Sequence, residues 1–206
     1  MALRGVWSTN LVALTIGVAM FGSFAFLPQF NQTPSETGYG FSLSVTEAGH
    51  MMLPSSAASF ACGLMAARLA AWLGVRTTIL LGSAASSVAL AVITFVHERI
   101  WEVVAASCLS GIGIGLVFAN LANAIVDAVP TEQTGVAIGM NANIRTVGGA
   151  IGAAVATTIV TADLLPSGYP TERGYMNGFA FMAIAALLIP AVPPRPYDTP
   201  RPKGSA

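Results

Sequence analysis

Arg145 is the residue whose type and setting could do the most: a guanidinium flanked on both sides by helix-length runs without another charge. A cation at that depth must face a bundle interior or a water-filled cavity. There it either glues helices through an amide or carbonyl partner, or takes part in substrate binding or gating. Asn141 stands four residues before it, and Gly148 and Gly152 three and seven after, so all four share one helix face. On the preceding apolar segment Asn120, Asn123 and Asp127 recur at intervals of three and four, again on one face. Asp127 reads as a helix-end charge. Two polar faces on consecutive helices predict that they meet across a shared cavity or its cytoplasmic mouth.

The acids are informative by position. All nine, Glu36, Glu47, Glu98, Glu102, Asp127, Glu132, Asp163, Glu172 and Asp198, fall in expected loops, in the tail or at helix ends. Proton-coupled transport needs a carboxylate or histidine that titrates inside the membrane. His50 is the candidate here, with a plain interfacial histidine as the alternative. Cys62 and Cys108 lie in apolar runs with no second Cys or His at ligand spacing, so buried thiols are expected, and neither a disulfide framework nor a metal site. No nucleophile-base pair, phosphate loop or paired carboxylates appear, which argues against an enzyme and against a bound cofactor. The formal net charge of zero gives no sign of a nucleic-acid partner.

Composition says what must position these residues. Of 206 residues, 54% are hydrophobic and 9% charged, whereas a soluble domain carries about 25% charge. Such a chain is expected in a lipid bilayer. A spanning helix takes roughly 20 apolar residues to cross a core about 30 Å thick, which leaves room for six. Charges and turn residues place them at about 11–30, 48–67, 77–96, 103–126, 135–160 and 175–192, followed by a Pro-rich tail at 193–206 expected to be disordered. The uncharged run after Arg4 is longer than the roughly 7–15 residues of a signal-peptide core, so a retained first span is expected. Cytoplasmic loops carry the excess of Lys and Arg. An N-terminus inside puts Arg4, Arg68, Arg76, Arg195, Arg201 and Lys203 in the cytoplasm, and Arg99 and Arg173 outside. Six against two favours a multi-pass protein of the cell membrane with both ends cytoplasmic.

Glycines four apart let two helix backbones approach closely in lipid, where packing replaces the missing hydrophobic drive. Gly111 and Gly115, Gly135 and Gly139, and Gly148 and Gly152 have that spacing and are read as helix-packing pairs.

The order of these features resembles the C-terminal six-helix half of a major facilitator superfamily transporter of the fourteen-helix drug:proton antiporter type. Phe-Leu-Pro-Gln-Phe at 26–30, Gly38-Tyr39-Gly40, Ala48-Gly49 and Met52-Leu53-Pro54 look like the opening of that half. Gly63 to Arg68 with Gly74 and Arg76 resembles a degenerate copy of the superfamily's short cytoplasmic loop motif, with Ala67 near where the family carries an acid. The series Gly111-Ile112-Gly113-Ile114-Gly115, Val129-Pro130, Gly135, Gly139, 141–145 and 148–152 resembles the last two long helices and the link between them. The family often has Pro soon after the Gly run, where this chain has Ala119 and Asn120. The resemblance implies an all-α fold of two three-helix inverted repeats forming one bundle. It also implies alternating access, export of small lipophilic or cationic compounds in exchange for protons, and a missing N-terminal half or partner chain. With no acid inside a span, the proton carrier is expected on that missing part. A six-helix scaffold or regulatory membrane protein that moves no solute is the competing reading.

Overall fold

Few helix breakers interrupt the apolar runs, so each folds as one long helix. The computed structural model describes residues 3–129 and 131–188. Its helices are α1 (Leu3–Gln32), α2 (Val45–Leu73), α3 (Val75–Phe95), α4 (Ile100–Ala128), α5 (Thr134–Val160) and α6 (Glu172–Leu187). The described residues form no strand, only an isolated bridge between Leu164 and Pro170. The first five helices extend past the expected spans, except that α3 stops at Phe95. Each of these five is long and apolar enough to cross a membrane. The sixth expected span, 175–192, runs past Leu187 and the last described residue, 188; the tail at 193–206 also lies outside the described residues.

Local chemistry sets the helix ends. Ser44 Oγ accepts the Glu47 N–H, while a Glu47 carboxylate oxygen accepts the Ser44 N–H at 2.9 Å, satisfying two otherwise unpaired donors at the start of α2. Glu102 receives the Arg99 N–H at 3.0 Å at the start of α4, and the Thr171 hydroxyl receives the Gly174 N–H at 3.1 Å in the first turn of α6. Gly74, at φ +84°, alone joins α2 to α3, in a conformation a side chain would strain.

The helices pair in a repeating pattern. α2 lies along α4 as α5 lies along α1, and these two crossings are among the most extensive in the bundle. Both are glycine seams. A Cβ on Gly111 or Gly115 would come 2.2 Å from the carbonyl oxygen of Ser55 or Ser59 on α2. A Cβ on Gly148 would come 2.2 Å from the carbonyl oxygen of Leu14, and one on Gly152 2.6 Å from Val18 Cα, both on α1. The helices therefore touch backbone to backbone. α3 fills the remaining side against α4 and α6.

Two apolar clusters occupy the two halves of the bundle. Near the α1–α2 connection Phe30 is a hub, with ring centroids 5.7 Å from Tyr39, 5.5 Å from Tyr175 and 6.0 Å from Phe179. In the other half Val12, Ile16, Ile79, Val117 and Leu121 pack together, with Phe118 and Ile144 beside them.

Tyr39, in the connection between α1 and α2, donates its hydroxyl to the Pro170 carbonyl oxygen ahead of α6. Burial first, and then Tyr175 and Glu172, push this phenol up to about 12. An unfolded chain ionises near pH 10, so the contribution of this group to stability is full below pH ~10 and is lost as pH rises towards about 12. In a phenolate titration at 295 nm, the Tyr39 phenol is expected to ionise only towards pH about 12, a contribution absent from Tyr39→Phe; a Tyr39→Phe curve matching the parent's rules the assignment out.

Candidate substrate-path and gating site

The face of α5 predicted from spacing lies against α1. Asn141 is buried there and donates through Nδ2 to the Thr9 carbonyl oxygen at 3.3 Å and to Asn10 Oδ1 at 3.1 Å. Gly148 and Gly152 follow on the same seam, and a Cβ on Gly17 of α1 would meet the Arg145 carbonyl oxygen at 2.2 Å. The Arg145 side chain reaches to α4, where its guanidinium carbon stands 4.4 Å from the Phe118 ring centroid.

Depth gives this contact weight. Arg145 is eleven residues into α5, and Phe118 ten residues from the end of α4, so both sit roughly 15 Å from the same end of the bundle. That is near the middle of a core about 30 Å thick. An arginine there costs about 2.5–3.5 kcal/mol on insertion scales unless paired. A ring face returns about 1–2 kcal/mol. Among the described residues no carboxylate lies within ion-pair distance of Arg145; the ion pair found joins His97 and Glu172.

The other predicted residues are dispersed. Asn120 is fully buried and donates to the Leu116 carbonyl oxygen at 2.8 Å, leaving its Oδ1 without a donor. It follows Gly113 by two turns, and Gly113 packs on Gly82 and Ser86 of α3. Asn123 is exposed, and the Asp127 side chain lies outside the described residues. No hydrogen bond among the described residues joins these asparagines to α5; Phe118 and Arg145 bridge α4 and α5 instead. Gly135 and Gly139 are open, and a Cβ on either would meet nothing within 4 Å. In the loop motif, a Cβ on Gly63 of α2 would stand 4.0 Å from the Gly115 carbonyl oxygen, Gly74 forms the α2–α3 link, and Arg68 and Arg76 are exposed near it. His50 is exposed on α2.

Sequence reasoning passed over His97. Its Nδ1 lies 2.8 Å from the Ile93 carbonyl oxygen, its Nε2 2.8 Å from Glu172, and its ring packs edge-on to Phe30. The two partners are 75 residues apart, so local spacing carries no signal of the pair.

The pocket found beside Pro28 among the described residues is small. Pro28, inside α1, has no N–H for the Phe24 carbonyl oxygen, and beside it lies a space of about 30 Å³ lined by Phe24, Ser107 and Asn31, whose Oδ1 has no partner. That holds a water or two; a drug-sized ligand needs roughly 300 Å³ or more.

Residues 2–153 match the family model of the Major Facilitator Superfamily. The chain belongs to that superfamily. It is 29% identical over 185 residues to the multidrug resistance protein Stp of Mycobacterium tuberculosis, covering 89% of this chain and 33% of that protein. A tetracycline resistance determinant of Streptomyces rimosus is 29% identical over 156 residues, 74% of this chain and 43% of its own length. This superfamily chain therefore spans a third to about two-fifths of these two curated relatives. Its fold is similar to that of a crystal structure of the peptide transporter POT in complex with sulfate, at a TM-score of 0.65 and 18% identity over 92% of this chain and 37% of that one. It is a multi-pass, all-helical membrane protein of a transporter superfamily, and not an enzyme.

Proposed function

We propose that the chain is the C-terminal six-helix half of a fourteen-helix drug:proton antiporter of the plasma membrane, working by alternating access with both termini in the cytoplasm. One observation carries this reading: α2 and α5 are apolar enough to span, yet only 6% of the most apolar window of α2 and 28% of that of α5 are buried. Their outward faces combine large side chains such as Phe60 and Leu64 with the open Gly135 and Gly139. Small residues of that kind favour close approach of another helix over lipid contact. The pocket beside Pro28 is too small for a drug, so a substrate path is expected to need a second wall. Relatives named for multidrug and tetracycline resistance support small lipophilic drugs or metabolites as cargo. With the acids at helix ends, the proton carrier is assigned to the complementary half.

The test is co-expression with a complementary eight-helix segment in a drug-susceptible host. Efflux is expected only with both parts, and only while a proton gradient is maintained. Unchanged drug accumulation when both are present in the membrane favours the scaffold reading and sinks this one. Gly139→Leu separates folding from assembly. It should leave the chain's own melting temperature within about 2 °C, since nothing in the chain is displaced, and lower recovery of the two-part complex by affinity pull-down at least fivefold. Equal recovery of the variant complex rules out α5 as the contact face.

A further inference from the structure

We infer that Arg145 is a binding point for a carboxylate, so that this half of the substrate path selects solutes or partner groups bearing a carboxylate and disfavours plain cations. The inference rests on the proposed role of Arg145 in the path. Its basis is what the guanidinium lacks. The Phe118 ring occupies one face of the cation at 4.4 Å, which leaves the in-plane edge with its five N–H donors. Among the described residues no hydrogen bond or ion pair is found for that edge, although Asn141, one turn away on α5, is held by α1. A guanidinium near mid-membrane with a free planar edge is complementary to a planar oxyanion, which it binds through two parallel hydrogen bonds. The charge points the same way. The described acids, Glu36, Glu47, Glu98, Glu102, Glu132, Asp163 and Glu172, all sit in connections or first helix turns. No negative side chain among the described residues therefore reaches the middle of the bundle to draw in a cation.

Two sources offer this chemistry: a carboxylate on the transported solute, and a side-chain carboxylate on the complementary half. The probe is 4-fluorobenzoate, with 4-fluorobenzylamine as the cationic control, followed by 19F NMR on the full 206-residue chain in zwitterionic nanodiscs. Saturable binding of the benzoate is expected, about tenfold or more weaker in Arg145→Gln and only partly kept in Arg145→Lys, with none for the benzylamine. Helix content by circular dichroism confirms that each variant is folded. In the second arm the chain is assembled with its complementary half. Loss of benzoate binding on assembly, together with assembly at least tenfold weaker for Arg145→Gln, assigns the carboxylate to the partner. Benzoate binding retained in the complex assigns it to the solute. The inference is overturned if the benzylamine binds as well as the benzoate, or if Arg145→Gln changes neither benzoate binding nor assembly. Transport that survives Arg145→Gln defeats the path reading itself. Transport lost without any carboxylate effect defeats only the inference.

Discussion

Gly148→Leu is expected to abolish the folded bundle, while Gly135→Leu, on the same helix and drawn from the same sequence pattern, leaves it intact. At position 148 even the first added carbon would stand 2.2 Å from the Leu14 carbonyl oxygen and 2.9 Å from its carbonyl carbon. These are backbone atoms, which cannot rotate away, so relief requires α1 and α5 to move apart along the whole seam. Overpacking a core that can adjust costs about 1–3 kcal/mol. A rigid contact at the largest crossing of α5 should exceed that, enough to unfold a bundle of ordinary marginal stability. Gly111→Leu meets Ser55 at the same 2.2 Å on α2 and should fail in the same way. At Gly135 nothing lies within 4 Å. Size-exclusion profiles after mild detergent extraction distinguish the two classes: a monodisperse peak for Gly135→Leu, and aggregate or no protein for Gly148→Leu and Gly111→Leu. A monodisperse Gly148→Leu would show that the helices do not touch there as described.

Arg145→Gln separates stability from activity. Its side-chain contact is the Phe118 ring, worth about 1–2 kcal/mol, and removing the charge relieves a desolvation penalty of about 2.5–3.5 kcal/mol. The melting temperature should therefore hold or rise slightly. Transport by the assembled protein should fall by about ten- to a hundredfold, the usual loss when charge-assisted hydrogen bonds to a substrate or partner disappear. Arg145→Lys should recover part of it, limited because an ammonium cannot present two parallel donors. Efflux assays and thermal melts on the same preparations give both readouts. Unchanged efflux with Gln would reduce Arg145 to a helix-packing residue.

The all-helical membrane architecture was legible because charge is scarce: where nearly every charge marks an end, the runs between them have one solution in lipid. Spacing was a weaker guide to the site. The periodicity of a helix tells which residues share a face, not what stands opposite. Gly111 with Gly115 and Gly135 with Gly139 have the same four-residue signature, yet one pair is locked to α2 and the other open. Asn120 and Asn123 are three residues apart, and the angle between them suffices to bury one towards α3 and expose the other. Arg145 drew notice by its cost, which needs no neighbour to compute. Its ring partner Phe118 did not, because one aromatic among many in an apolar run is unremarkable until the helices are placed. The His97–Glu172 pair is illegible for the same reason, being a product of how α3 and α6 come together.

The two matched glycine seams have a topological corollary. One runs from the middle helix of the first three to the lead helix of the last three, and the other from the middle helix of the last three to the lead helix of the first. A unit that crosses the bilayer an odd number of times delivers the chain to the opposite side, so the second unit starts where the first ended, pointing the other way. The exchange of middle and lead helices can then be reciprocal only if the second unit is turned over in the membrane plane.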